Sequence, residues 1–206
     1  PPVRPATRSR RAAHRSSPSQ QRQVSIAPHG AGLIELSRVA IRRAWGDAAY
    51  SNVNTPSPGS AAAWPTDVWV PHNRFDSIGR NAFTINAGRR VTLERNTIDH
   101  VGASVLDIEP DLPSQGADAV VLRSNTIGVY GMSPLYTGHF VSCSNDAYGV
   151  GAVIQGITIT GNSITRGAPN SANNSNSGGL FPWIGKPRPS NIVFTHKPTP
   201  TADTGN

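Results

Sequence analysis

One short phrase recurs four times in this chain of 206 residues and constrains its fold more than any other feature. The phrase has apolar residues at its first, third and eighth positions and an asparagine at its sixth, and it occupies 68–75, 91–98, 120–127 and 157–164. A unit this short cannot hide its apolar side alone, so the repetition predicts copies that stack on one another. Two fragments, Val39–Arg43 and Ile192–His196, are expected to extend the series at its two ends.

The phrase itself predicts a strand, a corner and a second strand. Val91 and Leu93 should lie on one face with Thr92 on the other, because strand side chains alternate. Ile98 should face inwards again after the corner. Asn96 falls at the corner, where its amide can bond to the backbone and to the asparagine of the next copy. We therefore predict a ladder of asparagines with a structural role.

A glycine and a second short apolar segment follow the phrase: Gly79 precedes Phe83–Ile85, and Gly102 precedes Leu106–Ile108. Hydrophobic residues make up only 36% of the chain, whereas it has 20 Gly and 18 Pro, a composition that suits short strands and frequent turns. The sequence therefore predicts an all-β solenoid of about 5–6 coils, in which parallel sheets surround a narrow apolar core.

The spacing of the repeats predicts the organisation of the chain. Successive ladder asparagines lie 23, 29 and 37 residues apart, which indicates loops of growing length inserted into a constant unit. The repeat domain is predicted to span 24–197, with insertions at 51–65, 111–118, 130–150 and 166–190. An Arg-rich tail, expected to be disordered, precedes it at 1–23, and a C-terminal tail follows at 198–206.

The formal charge of +7 comes almost entirely from the N-terminal tail. Residues 1–23 hold six Arg and no Asp or Glu, which leaves 13 basic and 12 acidic residues in the rest of the chain. A polyanion could bind this tail, but it has no aromatic side chain to stack on bases, so nucleic acid is not an expected partner of the folded part. No apolar run approaches the ~20 residues of a membrane-spanning helix, and the single Cys143 excludes an internal disulfide.

The segments Arg89–Ile98 and Leu106–Pro110 resemble repeats of the pectate-lyase-like superfamily, and in particular the β-helix repeat proteins of actinobacteria and their phages. The resemblance covers 33–130 well and 150–165 weakly. It implies a right-handed parallel β-helix, a fold that hosts lyases, hydrolases, epimerases, tailspikes and adhesins. It also implies a secreted, extracellular or virion-associated protein whose partner is a polysaccharide.

Asp107 and Glu109 are the leading candidates for catalysis. If Leu106 and Ile108 face the core, both carboxylates face outwards on one strand, with Cβ atoms about 6.5–7 Å apart. Their carboxyl groups could then reach the ~6.5–9.5 Å separation of an inverting glycosidase, in which one carboxyl acts as an acid and the other activates water. His100, at the preceding turn, is a further catalytic candidate.

Residues stacked around this pair are candidates for substrate binding. Thr84 and Asn86 are expected at the matching places one coil away. Trp69 should point outwards, where its ring could stack on a sugar, and Trp45 and Trp64 flank the same first insertion. Tryptophans at this place could instead cover the end of the stack or an interface between subunits.

A calcium-dependent reaction is a second possibility for the acidic residues. Asp107, Glu109 and Asp111 offer the hard oxygen ligands that Ca²⁺ prefers. The lyases of the resembled superfamily combine Ca²⁺ with a basic residue that removes a proton from the sugar ring. Arg89 is the matching basic candidate in this chain, and Arg90 is the alternative.

Two classes of function remain open. A carbohydrate-active protein, either a lyase or a hydrolase, would act on a linear polysaccharide in a groove along an outer sheet. A non-catalytic protein of a virion or cell surface would use the same coils for structure or adhesion, and the acidic pair would then be a solvated strand face. Unpaired sheet edges at the ends of the stack would favour a homo-oligomer such as a trimer.

Overall fold

The computed structural model describes residues 24–26, 33–52, 64–135, 138–144, 152–167, 183–184 and 193–195. The predicted tails at 1–23 and 198–206 lie outside these residues, as does most of the insertions at 51–65 and 166–190. The described part of the chain is all-β. It contains no helix long and apolar enough to cross a membrane.

The strands are short, as the composition predicts. In chain order they are β1 Val24–Ile26, β2 Ile34–Glu35, β3 Ala40–Arg42, β4 Ala49–Ser51, β5 Thr66–Pro71, β6 Arg74–Ile78, β7 Phe83–Ile85, β8 Ala87–Glu94, β9 Thr97–Val101, β10 Leu106–Ile108, β11 Gly116–Arg123, β12 Thr126–Val129, β13 Val141–Ser144, β14 Val153–Thr160, β15 Ser163–Gly167, β16 Trp183–Ile184 and β17 Val193–Thr195.

These strands form three parallel sheets. Sheet A has the order β1-β4-β7-β10-β13-β16, sheet B the order β2-β5-β8-β11-β14-β17, and sheet C the order β3-β6-β9-β12-β15. Each strand pairs with the strands three places before and after it, so the chain visits the sheets in turn and adds one strand to each. Three successive strands, one per sheet, make up the repeating unit.

The alternation predicted for the repeated phrase is confirmed. Val91 and Leu93 are fully buried, Thr92 between them is half-buried on the other face, and Ile98 is fully buried in the next strand. In sheet B, Val91 stands in register with its counterpart Val120 in the next unit. Like apolar residues therefore stack on one another and fill the space between the sheets.

The asparagine ladder is confirmed at the corner between sheets B and C. Asn96 Oδ1 accepts the Asn73 N–H at 2.8 Å, and Asn125 Oδ1 accepts the Asn96 N–H at 2.9 Å. The Asn96 amide nitrogen donates to the Val70 carbonyl at 2.8 Å. Asn162 repeats the pattern by accepting the Asn125 N–H at 3.0 Å. Each side chain thus satisfies buried backbone groups of a neighbouring unit.

The series begins earlier than the fragment Val39–Arg43 suggests. Ile34 pairs with Val68 in sheet B, whereas Ala40–Arg42 pairs with the β6 strand of sheet C. Residues 34–41 are therefore a further copy of the phrase, with Val39 at the asparagine position. The Val39 N–H donates to Asn73 Oδ1 at 3.0 Å, so the ladder ends there. The rear extension is confirmed, because β17 pairs with β14 in sheet B.

The residue before each ladder position has a left-handed backbone, which the sequence did not predict. Arg95 before Asn96 has φ 53°, a conformation that glycine adopts most readily. Ser124 has φ 55° at the equivalent place, and Gly161 has φ 60°. The corner therefore imposes this backbone on each unit whichever residue stands there. The other residues with this backbone conformation at the position before the ladder are Arg38 and His72.

Strands also occur within segments expected to be insertions. β13 lies inside 130–150, β11 begins inside 111–118, and β16 lies inside 166–190. Each of these strands continues one of the three sheets, so the added residues are distributed around the strands rather than inserted as single loops.

Candidate functional site on the outer face of sheet A

Asp107 lies on the outer face of sheet A, in register between Thr84 of β7 and Ser142 of β13. Its neighbours Leu106 and Ile108 are fully buried in the apolar core. The inward and outward positions of β10 therefore alternate as the sequence predicts, and Thr84 occupies the place that matches Asp107.

Arg80 is the cation of this site, and no pattern in the sequence indicated it. It lies in the connection between β6 and β7, and its guanidinium donates to the Glu109 carboxylate. The same group lies 3.6 Å from Asp47 and 3.9 Å from Asp107. Burial alone would lower the pKa of Arg80, but the three carboxylates together raise it. One guanidinium thus connects carboxylates of the two repeating units on either side of its own.

Asp107 is buried beneath these polar neighbours rather than solvated. Only 12% of its side chain is exposed. The Ser142 hydroxyl donates to one carboxylate oxygen, and the Asn81 amide donates to the other at 2.9 Å. Burial, followed by the charge of Glu109, raises the pKa of Asp107 to about 7, although Ser142 and Arg80 act in the opposite direction. Near neutral pH this carboxyl group can therefore hold or release a proton.

A second stack of polar residues supports the site from the corner between sheets C and A. Asp47 Oδ1 accepts the Asn81 N–H at 3.0 Å, and Asn81 Oδ1 accepts the Ser104 N–H at 3.0 Å. The other oxygen of Asp47 accepts the Thr84 hydroxyl at 2.9 Å. All four residues are buried. The hydrogen-bonding capacity of Thr84 is therefore directed into this network.

Asn86 and Asp111 form a separate contact at the far end of β10. The Asn86 amide donates to the Glu109 carbonyl at 2.7 Å and to an Asp111 carboxylate oxygen at 2.9 Å. The side-chain oxygen of Gln115 accepts the Asp111 N–H at 2.6 Å. Burial raises the pKa of Asp111, with Arg80 opposing it. Asp111 is thus used to close the connection between β10 and β11.

The arrangement does not fit a calcium ion held by Asp107, Glu109 and Asp111. The Arg80 guanidinium already lies among the first two carboxylates, and the Asn86 amide donates to the third. A cation next to Arg80 would face its positive charge. In the part of the chain that the structure describes, no group of three His, Cys, Asp or Glu residues is arranged as a metal site.

Arg89 lies on sheet B, away from the acidic pair of sheet A. Its guanidinium stacks over the Trp64 ring, 5.5 Å from the centroid, and lies 3.5 Å from the Asp118 carboxylate of the next unit. Arg90 likewise pairs with Asp67, at 2.6 Å. The structure therefore does not bring either arginine to Asp107.

His100 and Trp69 also lie on other sheets. His100, on sheet C, has its Nδ1 3.2 Å from carboxylate oxygens of both Asp76 and Asp99. Trp69, on sheet B, points outwards as expected, and its indole N–H donates to Glu94 at 3.0 Å. Of the residues predicted for the site, Asp107, Glu109, Thr84, Asn86 and Asp111 are therefore brought together, whereas Arg89, His100 and Trp69 are not.

The supporting residues did have a weak sequence signal. Asn81 follows Gly79 by two positions and precedes an apolar strand, and Ser104 follows Gly102 in the same way. Asp47 stands in register with them, one residue after Gly46. A second column of small polar residues at this corner could have been inferred from that spacing, although not the position of Arg80.

Comparison of the chain with models of protein families, with curated proteins and with solved structures finds no significant match.

Proposed function

We propose that the chain is a right-handed parallel β-helix of the pectate-lyase-like kind, which binds a linear polysaccharide along the outer face of sheet A and hydrolyses it with Asp107 and Glu109. The observation that carries this proposal is a carboxyl group with a pKa raised to about 7, adjacent to a second carboxylate and an arginine on that face. Perturbed ionisable groups of this kind cluster at functional sites.

The three sheets support the fold part of the proposal. The chain visits sheets A, B and C in a constant order, every pairing is parallel, and an asparagine ladder occupies one corner. A parallel β-helix combines these three features, and its long outer sheets are natural surfaces for an extended polymer. The resemblance of the repeats supplies the handedness.

The two carboxyl groups would divide the reaction between them. Asp107, protonated over part of the neutral range, would donate its proton to the glycosidic oxygen as that bond breaks. Glu109, which pairs with Arg80 and exposes 36% of its side chain, would accept a proton from the water that attacks the anomeric carbon. One nitrogen of the Arg80 guanidinium contacts both carboxyl groups, so the two groups face the same place on sheet A.

Hydrolysis is better supported than lyase chemistry. The carboxylates already have Arg80 as their cation, and the arginines considered as lyase bases pair with Asp118 and Asp67 on sheet B. Neither the calcium ion nor the base of a lyase therefore has support near Asp107. A secreted or virion-associated setting belongs to this proposal, because there the protein would meet its polymer.

One observation favours a second candidate, a non-catalytic structural or adhesion protein. Both oxygens of Asp107 accept hydrogen bonds, from Ser142 in the next strand of sheet A and from Asn81 at the neighbouring corner. A carboxyl group occupied in this way can serve as a tie between repeating units. In that case a homo-oligomer that covers the terminal strands is the expected assembly.

Turnover separates the two candidates. The protein would be incubated with neutral and acidic polysaccharides while the release of reducing ends is measured. The same assay would be run on the variants Asp107→Asn and Glu109→Gln and on the control Asp118→Asn. The hydrolase requires that the first two variants lose at least about 100-fold in rate, the usual minimum for a lost general acid or base. Asp118→Asn, whose carboxylate pairs on sheet B, should keep its rate.

A fully active Glu109→Gln protein would contradict the hydrolase, as would the absence of turnover on every polymer. If Asp107→Asn proves unstable, Glu109→Gln still decides the question, because Glu109 is partly exposed and lies outside the apolar core. A stable, inactive parent protein that sediments as an oligomer supports the structural candidate.

A further inference from the structure

A groove of about 510 Å³ runs along the corner between sheets C and A, outside the acidic site described above. We call it the corner groove, and its lining includes Trp45, Ile78, Gly79, His100, Gly102 and Met132. The groove is shallow and open to solvent, and its volume is sufficient for a small ligand that lies against one wall.

Two glycines in the lining of the corner groove allow successive units to stack closely. A Cβ on Gly79 would lie 2.2 Å from the Trp45 carbonyl oxygen, and a Cβ on Gly102 would lie 2.1 Å from the Gly79 carbonyl oxygen. The backbones of successive units therefore stack too closely for any side chain at these positions.

The residues that line the groove are mainly apolar, and one of them is a solvent-exposed tryptophan. Trp45 is 78% exposed and Met132 is 41% exposed, whereas Ile78 is buried beneath them. A tryptophan face this accessible gains by stacking against a flat ring, because aromatic pairs contribute beyond the area they bury. The groove therefore favours a planar ligand that covers Trp45.

The polar groups of the groove are largely committed to the protein itself. The Ser77 hydroxyl donates to Asp76 at 3.3 Å, and the Ser133 hydroxyl accepts a backbone N–H at 3.2 Å. His100 Nδ1 lies 3.2 Å from Asp76. A sugar ring needs partners for several hydroxyl groups, and these residues offer few. An aromatic ring needs none.

Arg43 supplies an uncommitted positive charge at the same groove. It lines the groove, is exposed, and forms no ion pair with a described residue. The nearby Asp76 accepts the Arg43 N–H through its carbonyl at 3.1 Å, but its carboxylate pairs with Arg74 and His100. An arginine that is free to form two parallel hydrogen bonds matches a carboxylate.

We propose that the corner groove binds a planar aromatic carboxylate, with its ring against Trp45 and its carboxylate paired with Arg43. The proposal does not depend on polysaccharide hydrolysis, because none of the residues of the acidic pair lines the groove.

Cinnamate tests the proposal by calorimetric titration of the full chain, with cinnamyl alcohol and glucuronate as comparison ligands. Cinnamate should bind saturably, and Trp45→Ala should weaken it about tenfold. Arg43→Gln should weaken cinnamate about tenfold and leave the alcohol unchanged. Arg42→Gln is the matched control, because this neighbouring exposed arginine does not line the groove, and it should bind cinnamate like the parent protein.

Each other outcome overturns part or all of the proposal. Absence of saturable binding at millimolar cinnamate refutes it, and so does binding that neither Trp45→Ala nor Arg43→Gln weakens. Glucuronate that binds as tightly as cinnamate shows that the ring specificity is wrong. Equal losses in Arg43→Gln and Arg42→Gln would assign the effect to overall charge instead of to a built site.

Discussion

The asparagine ladder and the outer face of sheet A are built on the same repeating unit but use it in opposite ways. Equivalent ladder positions hold the same residue, from Asn73 to Asn162, and each side chain forms the same bonds to the preceding unit. Equivalent positions on sheet A hold different residues, and Thr84, Asp107 and Ser142 stand side by side. The asparagine ladder therefore stabilises the stacking of each of these units in the same way.

The outward positions of sheet A, by contrast, bring several charged side chains together at one place. Three carboxylates and one arginine meet around Asp107, whereas the ladder has no charged member among Asn73, Asn96, Asn125 and Asn162. Keeping an ionisable group buried costs free energy that an asparagine avoids. The stacking of repeating units does not need such a group, and this contrast is why we propose a functional site on sheet A.

The largest expected effect comes from removing one asparagine of the ladder. Asn96→Ala should lower the free energy of unfolding by about 3–5 kcal/mol, since it leaves the buried Asn73 N–H and Val70 carbonyl without their partners at about 1–3 kcal/mol each and adds a cavity. Urea-induced unfolding measures this loss.

Thr97→Ala is the control for the ladder, because Thr97 is the exposed neighbour and should change stability by less than about 0.5 kcal/mol. An Asn96→Ala protein as stable as this control would mean that the ladder is not what holds successive units together, and the contrast with sheet A would lose its basis.

The next effect is a dependence of stability on pH that Asp107 introduces. The pKa of Asp107 rises from an ordinary value of 3.8 to about 7 on folding, so the folded protein holds a proton that the unfolded chain has released. Stability should therefore fall as the pH rises from 4 to 7, by about 2–4 kcal/mol, and level off above that range.

Asp107→Asn isolates this contribution because asparagine does not titrate. The difference in unfolding free energy between parent and variant, measured in urea at pH 4.5 and pH 8, should shift in favour of the variant at the higher pH. Parallel pH profiles for the two proteins would show that Asp107 does not carry the buried proton, and the acid role proposed for it would fail.

A smaller effect is expected at the left-handed residue before each ladder position. Ser124→Gly should stabilise the protein by up to about 1 kcal/mol, because glycine adopts φ 55° without strain, and Gly161→Ser should destabilise it by a similar amount. Thermal unfolding of the two variants gives the comparison. Shifts of the same sign in both would mean that the corner does not impose one backbone on all units.

The features that could be predicted from sequence are those set by local periodicity. Val91, Thr92 and Leu93 alternate because strand side chains alternate, and Asn96 falls at a corner because the phrase changes direction there. These properties depend on neighbours a few residues apart, so one copy of the phrase contains the information and the other copies confirm it.

The composition of the site depends on distant alignment, which the sequence does not reveal. Arg80 reaches Glu109 across 29 residues because β7 and β10 of successive units pair side by side in sheet A. Arg89 and His100 lie close to Asp107 in sequence. The chain turns at the corners between the sheets, however, so Arg89 lies on sheet B and His100 on sheet C.

The smallest expected effect is on the stability of Glu109→Gln, and it sharpens the comparison most. The Glu109 carboxylate pairs with Arg80, but about a third of each side chain is exposed, so removing this charge should cost less than about 1 kcal/mol in urea-induced unfolding. Asn96→Ala serves as the reference for a group that stacking requires. A loss of several kcal/mol in Glu109→Gln would make Glu109 a structural residue like the asparagines, whereas a small loss leaves its charge available for chemistry on sheet A.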